Sequence, residues 1–490
     1  MKVRTRYAPS PTGEPHLGNI RTALYDWLLA RHFGGEFILR IEDTDQQRYV
    51  EGGVEAQMSA LRWLGLEWDE GPDKGGPFGP YVQSQRLTLY EEHYQRLIEG
   101  GHAYRCYCSP ERLDQIRKEQ QARKEPPRYD RLCRDLNDGD RRTRDAQGSG
   151  SVVRFKTPLE GETTTADLLR GDVTFRNDTL DDFVIMKSDG YPTYHLASIV
   201  DDHLMEITHV IRGEEWLPSA PRHFLIYHAF GWETPQFAHV SRILGPDRAK
   251  LSKRHGAHSV LEYREQGFLA DAVVNFLALL GWSLDDHTDI IHRDTLVKHF
   301  DPARLLPNPA VFNADKLLWM NGVYIRDMTP DQLAREVLPF LEEGVGGRVN
   351  RGDLARIVPL VQDRIKLLPE IVDMADFFFT GGPLEYETEL LLGKKLAGDP
   401  ASALTALEAV TSATETVGAW DHGALEGAIR PLAEQHGMKA GDLFGVIRVA
   451  ITGKTAAPPL FETMEVLGRA KTLERLHDAL KRLKALKPAA

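Results

Sequence analysis

Cysteine, long apolar runs and excess positive charge are all scarce in this sequence. Three cysteines in 490 residues are too few for a disulfide framework, which favours a reducing compartment with free or metal-bound thiols. No segment approaches the roughly 18 uninterrupted apolar residues of a membrane helix, and the opening MKVRTRYAPSPTG lacks the apolar core of a signal peptide. We therefore expect a cytoplasmic protein with no membrane partner.

The charge balance limits how the chain can bind a polyanion. The formal net charge is −12, whereas a purely electrostatic nucleic-acid binder is usually basic. Any nucleic acid must therefore meet local positive patches on an acidic body. The length exceeds what one hydrophobic core fills, so we expect three to five domains.

The first 42 residues have the pattern of a strand, a loop, a helix and a second strand. VRTRY at 3–7 alternates like a strand, and IRTALYDWLLARHF at 20–33 has apolar residues at helical spacing before two glycines. EFILRI at 36–41 then reads as a buried strand that ends at Glu42. This order predicts a Rossmann-like, doubly wound parallel sheet, and hence an α/β fold class.

Two further changes of texture divide the chain. Residues 100–190 hold all three cysteines and several short β-like pieces, which indicates an α+β insertion. The α/β texture returns from 191, with strands in MEITHVIRGEEW and QFAHVSRIL and a helix in APRHFLIYHAFGW. After about residue 256 the periodicity is almost entirely helical, so the C-terminal half is predicted to be all-helical.

Two loops carry the features of a phosphate site. APSPTGEPHLGN lies between the first strand and the helix, where free backbone N–H groups and the positive end of the helix dipole attract anions. KLSKR at 250–254 places three cations in five residues, as a clamp on a polyphosphate would. Taken alone, the first is equally a proline-glycine turn with an exposed histidine, and the second a solvated surface turn.

Together, in this order, the two loops resemble the signatures of class I aminoacyl-tRNA synthetases. PHLG stands where that class has HIGH, and KLSKR where it has KMSKS. RIEDTD, GYPTYHLA, VDDH and VIRGEEW are similar to segments of the bacterial glutamyl branch of the class. Asn19 departs from the signature, which has its second histidine there.

The resemblance implies ATP with Mg²⁺ as cofactor and a reaction in which the amino-acid carboxylate attacks the α-phosphorus. Such chemistry needs positioning and fixed positive charge rather than a covalent nucleophile. His16, Lys250 and Lys253 are the expected catalytic residues. The residues expected to bind ATP are Gly13, His16, Gly18 and Lys253. The acyl group is then expected to pass to the 2′-hydroxyl at the 3′ end of tRNA.

A glutamate side chain calls for arginine, whose planar fork binds both carboxylate oxygens. Arg6 and Arg212 each fall at the end of a predicted strand, so a parallel sheet would bring both to its carboxyl edge. Glu42 suits the substrate ammonium. The resemblance implies the full glutamate pocket of Arg6, Ala8, Ser10, Glu42, Tyr194 and Arg212. The alternative is that Arg6 and Arg212 are structural partners of Glu42 and Glu214.

The cysteines form a C-x-C pair, Cys106 and Cys108, followed by Cys133 in the segment CRD. Some glutamyl enzymes resemble this with a histidine as fourth zinc ligand, where this chain has Asp135. Three thiolates and a carboxylate can satisfy one structural Zn²⁺. The alternative is that the cysteines are small buried hydrophobes without metal.

The resemblance assigns the helical half to the tRNA anticodon. Arg364, in VQDRIKLLPE, is the expected contact to the last anticodon base, although an exposed helical arginine is equally a solvated one. The implied partners are tRNA for glutamate, L-glutamate and ATP, with a monomer expected. The expected domains are catalytic (1–95 with 191–255), acceptor-end-binding (96–190), stem-contact (256–322) and two anticodon-binding (323–385 and 386–490).

The predicted activity is ligation of glutamate to tRNA through glutamyl-adenylate, with release of AMP and pyrophosphate. The alternatives are an enzyme that also charges tRNA for glutamine and a non-catalytic tRNA-binding scaffold. A glutaminyl enzyme would have a β-rich anticodon part, and a nucleotidyltransferase would be much shorter. Intact Arg6, His16, Arg212 and Lys253 argue against a decayed scaffold.

Overall fold

The structure, a computed structural model, describes residues 2–146, 150–252, 254, 259–396 and 399–486. The chain forms two compact units. The first comprises Met1–Glu265 and Ala270–Leu317, and the second comprises Gln266–Leu269 and Leu318–Ala490. No helix in the described ranges is long and apolar enough to cross a bilayer.

The first unit combines short strands with helices. In chain order its strands are β1 (Arg4–Tyr7), β2 (Glu36–Leu39), β3 (Ala103–Cys106), β4 (Val152–Phe155), β5 (Glu162–Asp167), β6 (Gly171–Arg176), β7 (Val184–Met186), β8 (His209–Gly213), β9 (Gln236–Val240), β10 (Ile243–Leu244) and β11 (Ala310–Val311). Its helices are α1 (Leu17–His32), α2 (Gly53–Trp63), α3 (Leu87–Glu99), α4 (Pro110–Ala122), α5 (Asp138–Ala146), α6 (Tyr194–Leu204), α7 (Ala220–Phe230), α8 (Val260–Glu265), α9 (Ala270–Leu279) and α10 (Arg293–His299).

Parallel strands form the centre of this unit. β1 pairs with β2 in parallel, and β9 pairs in parallel with both β8 and β5. β1 adjoins β8 because Thr208 donates its backbone N–H to the carbonyl of Arg4 at 3.0 Å. The carboxyl ends of β1, β2 and β8 therefore meet at one edge, as expected for a doubly wound fold. The predicted fold class is confirmed.

The β1–α1–β2 unit is the one that the sequence predicts, with shifted ends. The helix begins at Leu17, three residues before the predicted start, and its inner face buries Ile20, Leu24 and Leu28. Gly35 then turns the chain tightly against β1, because a Cβ there would lie 2.1 Å from the carbonyl oxygen of Val3. All four β1 residues are buried rather than alternating, since both faces of the strand are covered.

The predicted insertion does not stay together as one sheet. β3, β4 and β7 form an antiparallel sheet of their own. β5 instead pairs with β9, with β6 antiparallel on its outer side. Two strands from within 96–190 thus extend the central sheet of the unit.

In the described residues of the second unit, the regular elements are helices joined by loops, as predicted for the C-terminal half. α11 (Ala314–Asp327) begins in the first unit and continues into the second. The remaining helices are α12 (Pro330–Val345), α13 (Arg351–Val361), α14 (Glu370–Phe379), α15 (Gly393–Leu396), α16 (Pro400–Thr416), α17 (His422–Gln435), α18 (Ala440–Thr452), α19 (Leu460–Leu467) and α20 (Arg469–Ala485). An apolar core that includes Leu407, Ile447 and Leu476 joins α16, α18 and α20.

Candidate active site

A cavity of about 1420 Å³ opens at the carboxyl edge of the parallel strands of the first unit. It brings together most of the residues predicted for the site, which contribute to its wall from both signature loops and from the strand ends. The predicted residues that line it are Arg6, Ala8, Ser10, His16, Gly18, Glu42, Tyr194, Arg212 and Lys250. Gly13, with φ at +152°, does not line it, although its neighbours Thr12 and Glu14 do. Lys253 lies outside the described residues.

The first signature loop delivers His16 to the start of α1. His16 is the residue before the helix, and its carbonyl accepts the N–H groups of Asn19 and Ile20 at 3.0 and 3.2 Å. The imidazole lies over Gly18, where a Cβ would stand 3.4 Å from Nδ1 of His16. The N-terminus of α1 thus faces the cavity with its N–H groups and its positive dipole end, an arrangement suited to phosphate.

The second signature loop reaches the same cavity through Lys250, Leu251 and Ser252. Further along the chain, Ser259 forms a β-bridge with His16, and the N–H of Val260 donates to the carbonyl of Pro15 at 3.0 Å. Burial and the nearby charge of Lys250 lower the pKa of His16, with Glu215 opposing. His16 is therefore neutral at neutral pH, so its imidazole offers one N–H donor and one lone pair.

Arg6, at the end of β1, is anchored by a buried carboxylate. Its Nε and Nη2 donate to Asp202 at 3.0 and 3.4 Å, and Arg40 donates to the same carboxylate at 2.8 Å. Arg40 also donates to Glu42 at 3.1 Å. The Arg6–Glu42 ion pair considered as an alternative is therefore replaced by a network in which Asp202 and Arg40 are the intermediates.

Glu42 lines the cavity from the loop after β2. Burial raises the pKa of its carboxyl, and the charges of Arg40 and Arg6 oppose that rise. A substrate ammonium beside it would add a further positive charge and favour its ionised form. This is compatible with the predicted role of Glu42.

Arg212, at the end of β8, is held differently. Its Nε donates to Nε2 of His239 at 2.9 Å, and its Nη1 donates to Tyr194 Oη at 3.1 Å and faces His223 Nδ1 at 2.9 Å. Its Nη2 is buried and has no hydrogen-bond partner in the part of the chain that the structure describes. The predicted alternative partner, Glu214, instead bonds Arg170 at 2.7 Å. Arg212 therefore lines the cavity, and the two N–H groups of its Nη2 remain available as donors.

Sequence reasoning missed the residues that support the two arginines. Asp202 and Arg40 are separated by 162 positions, and His223 and His239 lie in segments that the pattern identified only as a helix and a strand. Asp26, on α1, also lines the cavity, and burial raises the pKa of its carboxyl well above the ordinary value. A buried acid within an apolar helical pattern was the available signal for Asp26. Arg40 and Asp202 lie in the segments RIEDTD and VDDH, which the family resemblance singled out without giving these two residues a role.

The three thiols of the insertion form a cluster. The sulfur atoms of Cys106, Cys108 and Cys133 lie within 4.8 Å of one another. The hydroxyl of Tyr129 stands beside them, 3.3 Å from Cys106 Sγ and 3.5 Å from Cys108 Sγ. Asp135, the predicted fourth ligand, does not join the cluster.

The side chain of Asp135 is 84% exposed and faces Lys156 at 3.6 Å. The physical reason for this separation is local: the chain turns at 132–135, so Asp135, the last residue of CRD, points into solvent. Three thiolates are a donor set that suits zinc, and the Tyr129 hydroxyl is an oxygen within hydrogen-bond distance of two of the sulfur atoms.

In the second unit, Arg364 ends a short 3-10 turn that follows α13, and it is exposed as predicted. Arg448, on α18, has its pKa lowered by burial and then by the positive charge of Arg364. Two neighbouring guanidinium groups make a local positive patch on an acidic chain.

Comparisons with known proteins agree with this geometry. The family described as "tRNA synthetases class I (E and Q), catalytic domain" matches residues 2–319, and "Anticodon binding domain" matches residues 332–480. The chain is therefore a class I aminoacyl-tRNA synthetase of the glutamate and glutamine group. It belongs to the glutamate–tRNA ligase family.

The similarity extends over nearly the full length. The glutamate–tRNA ligase of Dehalococcoides mccartyi (strain 195) is 53% identical over 99% of both chains. That of Herpetosiphon aurantiacus is 47% identical over 97% of both. A crystal structure of a glutamate tRNA ligase from Elizabethkingia meningosepticum in complex with its amino acid superposes with a TM-score of 0.90 at 37% identity, covering 98% of this chain and 99% of that one.

Proposed function

We propose that this protein activates L-glutamate with ATP and transfers it to the 3′-terminal ribose of tRNA for glutamate. One observation carries the proposal: a single cavity has the α1 N-terminus, His16 and Lys250 on its wall together with Arg6, Glu42 and Arg212. The first group suits phosphate and the second suits an acidic amino acid. Both substrates of an adenylation step thus fit one space.

In the first step the α-carboxylate of glutamate attacks the α-phosphorus of ATP, and pyrophosphate leaves. Negative charge develops on the phosphate oxygens, where the N–H groups of α1, the neutral His16 and the Lys250 ammonium stabilise it. Mg²⁺ bound with the nucleotide would supply further positive charge to the phosphates. In the second step the 2′-hydroxyl of the terminal ribose attacks the acyl carbon, and AMP departs.

The amino acid is chosen by charge. The unused Nη2 of Arg212 and the guanidinium of Arg6 would donate to the side-chain carboxylate. Glutamine presents an NH₂ group in place of one oxygen, so donor would face donor and a buried charge would remain unpaired. Sites built on such obligatory pairing reject the wrong analogue by roughly 10⁴-fold.

The direct test is a charging assay with radioactive glutamate, ATP and separate transcripts of tRNA for glutamate and for glutamine. We expect charging of the first transcript by the unaltered protein. Arg212→Ala should lower kcat/KM for glutamate by about 10³-fold or more, since a charge-assisted contact is lost, while KM for ATP stays close to its normal value. Normal glutamate kinetics in Arg212→Ala would refute the assignment of the pocket.

The choice of tRNA rests on Arg364 in this proposal. Its guanidinium is exposed, and its charge acts on Arg448. An exposed guanidinium can donate two N–H groups to the acceptors of one base edge. Arg364→Gln should bring the kcat/KM values for the two transcripts closer together, with Arg335→Gln, another exposed arginine of the second unit, as the matched control. An unaltered preference in Arg364→Gln would assign the selection to other residues.

We also propose one structural Zn²⁺ on Cys106, Cys108 and Cys133. These residues would hold the ion by three thiolates, and it would cross-link β3 to the segment around Tyr129. Elemental analysis of protein purified without chelator should give about one zinc per chain. Cys133→Ser should lose that zinc and Asp135→Asn should keep it, because only the first residue belongs to the cluster. Metal-free wild-type protein would contradict this part.

The finer expectations of a cytoplasmic location and a monomer remain proposals of the same kind. The location rests on the scarcity of cysteine, and the monomer rests on the resemblance.

A further inference from the structure

Arg212 contacts no carboxylate among the described residues. The groups that receive its N–H donors are the imidazoles of His239 and His223 and the phenol of Tyr194. Its guanidinium carbon also lies 5.0 Å from the ring centre of Phe237. Arg6 differs, because Asp202 neutralises it directly. Arg212 is therefore a positive charge in the lining of the cavity that no carboxylate of the described residues neutralises directly.

The hydrogen bonds fix the tautomers of both histidines. A guanidinium has only donors, so Nε2 of His239 and Nδ1 of His223 must be the unprotonated, accepting nitrogens. Nδ1–H of His239 then donates to Asp167 Oδ2 at 2.6 Å, and Nε2–H of His223 donates to Nδ1 of His195 at 3.0 Å. Each imidazole is held by a second contact on its far side.

Burial keeps these rings neutral. His223 and His239 have exposed fractions of 0% and 1%. Burial and then the charge of Arg212 lower the pKa of His223 well below the ordinary value, and burial lowers that of His239 despite Asp167. The imidazole of His239 lies between Asp167 and Arg212 and bonds to both. Its carboxylate is satisfied by His239 and by the N–H groups of Leu169 and Arg170 at 2.9 and 3.0 Å.

We propose that His223 and His239 are positioning residues, neutral acceptors that orient Arg212 without cancelling its charge, so that the side-chain carboxylate of glutamate becomes its first anionic partner. The inference rests on the proposed function. A carboxylate at either position would also accept from Arg212, but it would neutralise the guanidinium before substrate arrives. Glutamate would then lose its advantage over glutamine.

The test is a series at one position, read by binding rather than activity alone. Non-hydrolysable analogues of glutamyl-adenylate and glutaminyl-adenylate are titrated calorimetrically against the full chain. His223→Asp should lower the ratio of glutamyl to glutaminyl affinity by about 10²-fold, the scale of one charge-assisted pair. His223→Asn keeps an acceptor where Nδ1 stands, and should retain the ratio within about fivefold.

The control is His228→Asp, which adds the same charge to an exposed site on α7 and should leave the ratio unchanged. If His223→Asp does not fold, His239→Gln, which keeps an acceptor near Nε2, should preserve the ratio, while His239→Leu should reduce it. An unchanged ratio in His223→Asp, or equal losses in His223→Asp and His223→Asn, would overturn the inference. Absence of any glutamyl preference in the unaltered protein would instead refute the proposed function.

Discussion

At the scale of single residues, the cavity is built on buried charges with two kinds of support. Arg6 and Arg40 share the carboxylate of Asp202, whereas Arg212 is held by neutral rings. A buried arginine that is paired with a carboxylate has a fixed orientation, and the pair has little net charge. A buried arginine without a carboxylate partner keeps its charge and favours the binding of an anion. The two arginines are therefore not equivalent, although both sit at strand ends.

Asp26 is a residue whose buried carboxyl lowers the stability of the fold at neutral pH, because the ionised form is unfavourable there. It is fully buried on α1, and burial raises the pKa of its carboxyl well above the ordinary value while Arg6 opposes that rise. Between the unfolded pKa near 4 and the higher folded pKa, the folded chain holds a proton that the unfolded chain has released. Stability therefore falls as pH rises through that window.

We expect Asp26→Asn to remove this penalty. The variant should be more stable than the unaltered protein by about 1 kcal/mol or more at pH 7, since one pKa unit corresponds to about 1.4 kcal/mol, and the gain should vanish towards pH 4. Urea unfolding at several pH values measures it. Asp114→Asn, at an exposed position, is the control with no expected change. A gain that grows at low pH would contradict the burial argument.

At the scale of elements, the tight return from α1 into β2 depends on two adjacent glycines with different requirements. Gly34 has φ at +61° and open space at its Cβ position, whereas a Cβ on Gly35 would stand 2.1 Å from the carbonyl oxygen of Val3. Gly34 is therefore required for its left-handed backbone conformation, and Gly35 is required because there is no space for a side chain.

Replacing the two glycines should therefore have unequal effects. Gly34→Ala should lower the free energy of unfolding by about 1–2 kcal/mol, the cost of a left-handed alanine. Gly35→Ala must push β1 from β2, and should cost about 3 kcal/mol or more. Urea midpoints of both variants provide the measurement, each acting as the other's control. Equal losses would mean that β1 and β2 separate easily.

The strands and helices show which parts of the fold can be predicted from the sequence. Helical and strand periodicity predicted β1, α1 and β2 within three residues, and the parallel-sheet rule placed Arg6 and Arg212 at one edge because it depends only on strand direction. The pairing of β5 with β9 was not predictable, since it joins segments about 70 residues apart by a single short register. Likewise, Asp135 has the sequence spacing of a metal ligand, but its side chain points away from the three thiols. The turn at 132–135 sets that direction, and the sequence spacing does not reveal it.

At the scale of the whole molecule, an acidic chain must bind an acidic RNA. The net charge is −12, so attraction must come from local positive groups, such as the proposed contact Arg364, while long-range repulsion opposes approach. Added salt screens both the attraction and the repulsion. It also makes the release of counterions at each phosphate contact less favourable. In the proposed site, glutamate would instead meet Arg6 and Arg212, which are buried, so screening there would be weak.

Salt should therefore separate the two substrates. Between 50 and 200 mM KCl we expect KM for tRNA to rise by about tenfold or more, as for a few phosphate contacts, and KM for glutamate to change by less than about twofold. Charging rates at saturating ATP, with one substrate varied at a time, measure both. Potassium glutamate is avoided because its anion is a substrate. A KM for glutamate that rises in parallel with that for tRNA would show that the acid meets Arg212 in an open, solvated site, since only solvent-exposed charges respond to salt in that way.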